Sequence, residues 1–176
     1  MKEPSLKSIT HPELVTALCK SGDTIAAELN NKPEEKALLL SAVQYVLQEG
    51  EILEAIKKRT IYNKPEAWPG DAPNTPHPEL TPNQAHLLHM SIGIAGEALE
   101  LLDAVYKHIN YKKPLDWVNV VEESGDIEFY HEGFRQGVNL DRDEALNQNI
   151  AKLSKRYASL SYSDSAARDR ADKVEA

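Results

Sequence analysis

The 176-residue chain is expected to fold as an all-α helical bundle, built on an antiparallel helix hairpin and preceded by an N-terminal helical extension. Three observations lead there. Its hydrophobic content of 41% is dominated by Leu and Ala, with few β-branched runs and only 6% aromatics, which favours helix over sheet. Apolar residues recur at helical spacing through the centre, with Leu88, Ile92, Ala95, Leu99 and Leu102 on one stripe and Leu87, Ile94, Ala98, Leu101 and Val105 on another. Two acidic pairs, Glu97/Glu100 and Glu123/Asp126, are mirrored about the point between Tyr111 and Lys112, inside a break that ends at Pro114.

Taken in order, His11-Pro12-Glu13-Leu14 opens a helix expected to end near Asn30-Asn31, and Pro33-Glu34-Glu35 opens a second running to about Arg59, interrupted at Gly50. These form an N-terminal extension over residues 1–65. Prolines at 65, 69, 73, 76, 78 and 82 forbid regular structure, so residues 66–81 read as a linker. The central domain, residues 82–160, begins with a helix from about Thr81 to His108. After the Tyr111 break comes a helix from Pro114 or Leu115 to Gln136, ended by Gly137. Asp141 caps the next, with Glu144 placed for a capping box, and that helix is expected to reach Ser159. The tail, residues 161–176, is small and charged, and frayed helix or disorder is expected there.

The extension looks like a worn copy of the centre. Aligned at an offset of 49 without gaps, Pro33 to Pro65 matches Pro82 to Pro114 at ten positions, including Leu38/Leu87, Glu51/Glu100, Ala55/Ala104, Lys58/Lys107 and Tyr62/Tyr111. The first copy has Gln48 where the second has Glu97, and no acidic helix follows it, so residues 33–65 are expected to serve packing or dimer formation, with Glu51 and Glu54 solvated or salt-bridged.

A formal net charge of −8 argues against a nucleic-acid surface. No stretch approaches the roughly 20 apolar residues that span a bilayer, and the first ten residues lack a signal-peptide core, so no membrane association and a cytoplasmic location are expected. The single cysteine, Cys19, cannot form an internal disulfide and is expected as a small buried apolar group.

Each acidic pair places two carboxylates on one helix face, and in a hairpin turning near Tyr111 all four meet at one level. Such a cluster raises its own pKa values unless cations sit within it, and hard oxygen donors suit Mg²⁺ or Mn²⁺. Glu97, Glu100, Glu123 and Asp126 are therefore the candidate metal-binding and catalytic residues. The wedge that carries Glu97 and Glu100 also holds His86, His89 and Gly93. His89 could contact a base or sugar, with Gly93 leaving room, although a lone helical His is more often structural. Trp68 and Trp117 could stack on a base but suit packing better.

GEALELLDA, VVEESGDIEFY and LDRDEALNQNIAKLSKRY together resemble the MazG-like all-α nucleoside triphosphate pyrophosphohydrolases, over about Pro82 to Tyr157. The family's EExxE…ExxD pattern is matched except that Gly96 stands at its first glutamate, which leaves Glu122 or Asp103 to supply a fifth carboxylate. The resemblance implies metal-dependent hydrolysis of a nucleoside triphosphate, a purine dNTP such as dGTP as first choice, to the monophosphate and pyrophosphate. It also turns Asn149, Lys152, Lys155 and Arg156 from residues that merely complement a helix dipole into phosphate-binding ones, with Tyr157 core or ligand. A homodimer or homotetramer is expected. The competing function is a non-catalytic oligomerisation or regulatory module that keeps the fold.

Overall fold

Seven helices and no strand occur among the residues that the computed structural model describes, 9–64 and 80–173. The all-α expectation is met. The proline-dense segment and Trp68 lie outside the described residues, as does Val174 at the end of the tail. The helices fall into two units, one made of residues 1–33 with 140–176 and the other of residues 34–139. The second therefore joins α3 (Pro33–Thr60) to the hairpin of α4 (Pro82–Asn110) and α5 (Trp117–Val138), while α6 (Arg142–Arg156) groups with the chain ends.

In the first unit the helix expected to run unbroken to Asn30 is two, α1 (His11–Leu18) and α2 (Gly22–Asn30). Ser21 ends the continuity because its hydroxyl accepts from the Thr24 N–H and caps a new helix. Thr10 caps α1 with a complete box to Glu13, and Leu14 buries itself fully where α1 meets α6. Cys19, in the gap, is exposed and not the buried apolar group expected. α6 starts at the Asp141 cap but stops at Arg156, three residues short of Ser159. The tail is ordered further than its composition suggested. Ser163 caps a short α7 (Asp164–Asp169), and Lys20 pairs with Asp164 at 3.5 Å.

In the second unit α3 continues through Gly50 without interruption. Thr81 and Gln84 form a capping box at the start of α4, behind which Pro82 donates its preset φ. Asp116 caps α5 two to three residues later than expected, and α5 passes Gly137 by one residue before Asn139 ends it in the left-handed conformation, at φ 54° and ψ 41°. α4 and α5 pack antiparallel in one register: a Cβ on Gly93 would lie 2.2 Å from the Tyr130 ring, one on Gly133 2.3 Å from Met90 Sδ, and one on Gly137 2.8 Å from His86. Glycines at these levels bring the two backbones together. The apolar stripes of α4 were expected inside a bundle, yet Leu88 and Val105 are exposed, and the buried seam is Met90, Gly93, Gly96, Glu97 and Ala104.

Candidate metal centre

The seam of the hairpin sets the acidic residues. The register that pairs Gly93 with Tyr130 puts Glu100 level with Glu123, and both lie one helical turn or so from Glu97. Glu97, Glu100 and Glu123 each offer an oxygen within 4.8 Å of the other two. Glu97 and Glu123 are buried and Glu100 is exposed. Asp126, expected as the fourth ligand, stays exposed outside this group.

Burial raises the pKa of the two buried carboxylates, Glu97 and Glu123. Glu123 is pushed up to about 7 by desolvation, then by the charge of Glu100 and the hydrogen bond with Glu97. Glu97 is also raised by burial, with Lys57 acting against the shift. Glu97 and Glu123 hydrogen-bond each other, and the Asn119 amide donates to Glu123 Oε1 at 2.6 Å, fixing that carboxylate in place.

Lys57 was not anticipated. Its side chain is 2% exposed, and its Nζ lies 2.6 Å from Glu54 Oε2 and 3.5 Å from Glu97 Oε1. Burial works to lower its pKa, but the pairing with Glu54 and Glu97 prevails and the pKa is raised, so the ammonium is permanent. Gly96 is what admits it: a Cβ there would stand 3.2 Å from Glu54 Oε2 and 3.5 Å from Lys57 Nζ. Glu54 is thus salt-bridged, and it brings a carboxylate from α3 to the face of α4 where Gly96 carries none. Neither Glu122 nor Asp103 joins the carboxylate group, since Glu122 is exposed and Asp103 pairs with Lys107.

Above this level, His89 Nε2 hydrogen-bonds the Tyr62 hydroxyl at 2.8 Å, and Tyr62 reaches the Tyr130 hydroxyl at 3.0 Å. Desolvation, then Lys57 and His86, lower the His89 pKa and keep it neutral. His89 is therefore a structural connector of α3, α4 and α5. Gly93, expected to leave room for a ligand, is covered by the Tyr130 ring. Trp117 projects into solvent at 69% exposure.

A groove of about 830 Å³ opens beside Glu100. Its α3 and α4 walls are in register with the internal repeat: Leu47, Gly50, Glu51, Glu54, Ala55 and Lys58 on one side correspond, each 49 residues on, to Gly96, Leu99, Glu100, Asp103, Ala104 and Lys107 on the other. Gly50 and Leu99, an equivalent pair, touch at the crossing. The ion pairs repeat as well, Lys58 with Glu54 and Lys107 with Asp103. Lys113, Pro114, Asp116 and Asn119 close the groove from the turn and α5.

The basic stripe is carried by α6, in the first unit. Arg156 spends its fork on Asp172, with Nε to Oδ1 at 2.5 Å and the outer nitrogen to Oδ2 at 2.8 Å. That engagement removes Arg156 from the expected phosphate-binding set, because the bidentate geometry that would suit phosphate is already filled. Lys152 and Lys155 are exposed and Asn149 is half-buried. Tyr157, buried at 7% exposure, is core. No family model, curated protein or solved structure matches this chain.

Proposed function

We propose that the chain is a metal-dependent nucleoside triphosphate pyrophosphohydrolase. The observation that carries this is the convergence of Glu97, Glu100 and Glu123, of which Glu100 also lines the groove. Ligand oxygens around an octahedral ion at 2.0–2.1 Å are spaced by about 3 to 4 Å, so three glutamate oxygens within 4.8 Å of one another fit Mg²⁺ or Mn²⁺. The bound ion would polarise a phosphoryl oxygen and lower the pKa of a water. Asn119 holds Glu123, and the raised pKa of the Glu97–Glu123 pair suits one of the two carboxylates to take a proton from water. Lys58, Lys107 and Lys113 line the groove, where polyphosphate oxygens would take Lys113 directly and Lys58 and Lys107 in exchange for Glu54 and Asp103. In this proposal they take the part that sequence gave to Lys152 and Arg156. The substrate class remains a nucleoside triphosphate, with a purine dNTP the first to try, in a cytoplasmic enzyme that self-associates through its exposed apolar faces.

The test is a panel of NTPs and dNTPs in ¹⁸O-labelled water. Attack at the α-phosphorus yields monophosphate and pyrophosphate with the label in the monophosphate. Label in inorganic phosphate, with a diphosphate accumulating, would exclude the pyrophosphohydrolase reaction.

A further inference from the structure

We propose that Lys57 is a resident cation of the carboxylate centre, filling the place a second divalent ion would need, so that the centre binds one metal ion per chain. The inference rests on the metal-binding reading above and adds what limits it. Four carboxylates meet at the crossing of α3 with the hairpin: Glu54, Glu97, Glu100 and Glu123. An ion bridging Glu54 and Glu97 would have to sit between their oxygens. The Lys57 ammonium is already there, at 2.6 Å from one and 3.5 Å from the other. It is no passing surface charge. Its side chain is 2% exposed, the face of the Tyr130 ring lies 5.6 Å from Nζ, and Gly96 supplies the space it fills. A buried ammonium without its carboxylates is strongly disfavoured, so Lys57, Glu54 and Glu97 hold one another. The remaining oxygens, on Glu97, Glu100 and Glu123, form the three-donor group that suits a single ion. Lys57 is then a positioning residue: its ammonium holds Glu97 through Oε1.

Equilibrium dialysis and electron paramagnetic resonance with Mn²⁺ on the full chain at neutral pH read the stoichiometry. One Mn²⁺ per chain with an uncoupled spectrum is expected, and in Lys57→Met, confirmed as helical, two. Two coupled ions in the native chain, or a stoichiometry of one in both proteins, would overturn the role of Lys57 while leaving the metal centre standing. No bound Mn²⁺ at millimolar concentration would remove the metal centre and this inference together. Acylation of lysine amines followed by peptide mass spectrometry needs no variant. Lys57 should stay unmodified with and without Mn²⁺ while exposed Lys107 and Lys152 react. Lys57 becoming reactive on adding Mn²⁺ would show that the metal displaces it, which contradicts a resident cation.

Discussion

Glu123 carries the clearest electrostatic consequence. In the folded chain it holds its proton up to about pH 7, whereas the unfolded chain releases it near 4.5. The folded state binds more protons across that interval, so this group makes metal-free stability fall as pH rises from 4.5 to 7. Glu123→Gln should remove that slope, leaving the variant more stable than the native chain by about 1–3 kcal/mol at pH 8 in chelator and no more stable near pH 4.5. Chemical denaturation at both pH values measures it, and an equal gain at each would show that the carboxylate is not strained. Mn²⁺ should raise the melting temperature of the native chain and not of the variant, since a ligand of the folded state stabilises by RT ln(1 + [L]/Kd). Turnover should fall to near background in the variant. The level at which Glu100 and Glu123 meet was legible from two acidic pairs mirrored about the turn. That Asp126 would fall short was not, because periodicity assigns a residue to a level and not to a reach. Lys57 was hidden too: lysine in a charged helix normally reads as solvated, and only the bare backbone of Gly96 hinted at a visitor from another helix.

At the scale of elements, glycine sets the spacing. The Tyr130 ring is pinned by its hydrogen bond to Tyr62, so a methyl at Gly93 has nowhere to go. Gly93→Ala should cost about 2 kcal/mol or more. At exposed Gly125, with open space around it, the same change should stabilise α5 by roughly 0.5–1 kcal/mol. Urea denaturation of the two variants tests the contrast, and similar effects at both positions would contradict the packing described. The docked tail is the other element-level feature. The Arg156 fork holds Asp172, whose side chain is 4% exposed, and depresses its pKa to about 2. A depressed carboxylate stabilises above its ordinary value of 3.8 and loses that contribution as pH falls toward 2. Asp172→Asn should therefore free the tail at neutral pH, seen as faster tryptic cleavage after Arg168 and Arg170, and hydrogen exchange in native α7 should quicken below about pH 3. Unchanged cleavage would mean that the tail docks without this pair. Helix starts were legible wherever a capping side chain stood before the apolar period, as at Thr81 and Asp141. The α1–α2 break carried the same kind of signal at Ser21, followed by Gly22 and Asp23, between two segments short enough to read as one helix. The Arg156–Asp172 clamp had none, since it closes over a span of 16 residues that includes α7, a separation no helical period reports.

At the scale of the molecule, the exposed apolar surface follows helix faces. Leu38, Tyr45 and Ile52 recur every seven residues on α3, and Trp117, Val121 and Phe129 line α5. Exposed apolar faces of that extent belong against a partner. We expect light scattering to give a dimer or larger, and Val118→Glu with Phe129→Lys to reduce it to a monomer with unchanged helicity. A native monomer at micromolar concentration would contradict self-association. The groove whose walls repeat at an offset of 49 has a different consequence, for how such a chain can change over time. In a homodimer every substitution strikes both walls at once. Here the walls are encoded separately, and each can be altered while the other is kept. Gln48 stands at the place equivalent to Glu97, and Lys57 at the place equivalent to Tyr106, while the carboxylate trio of Glu97, Glu100 and Glu123 comes wholly from α4 and α5. A change on the α3 wall therefore leaves that trio's own residues as they are.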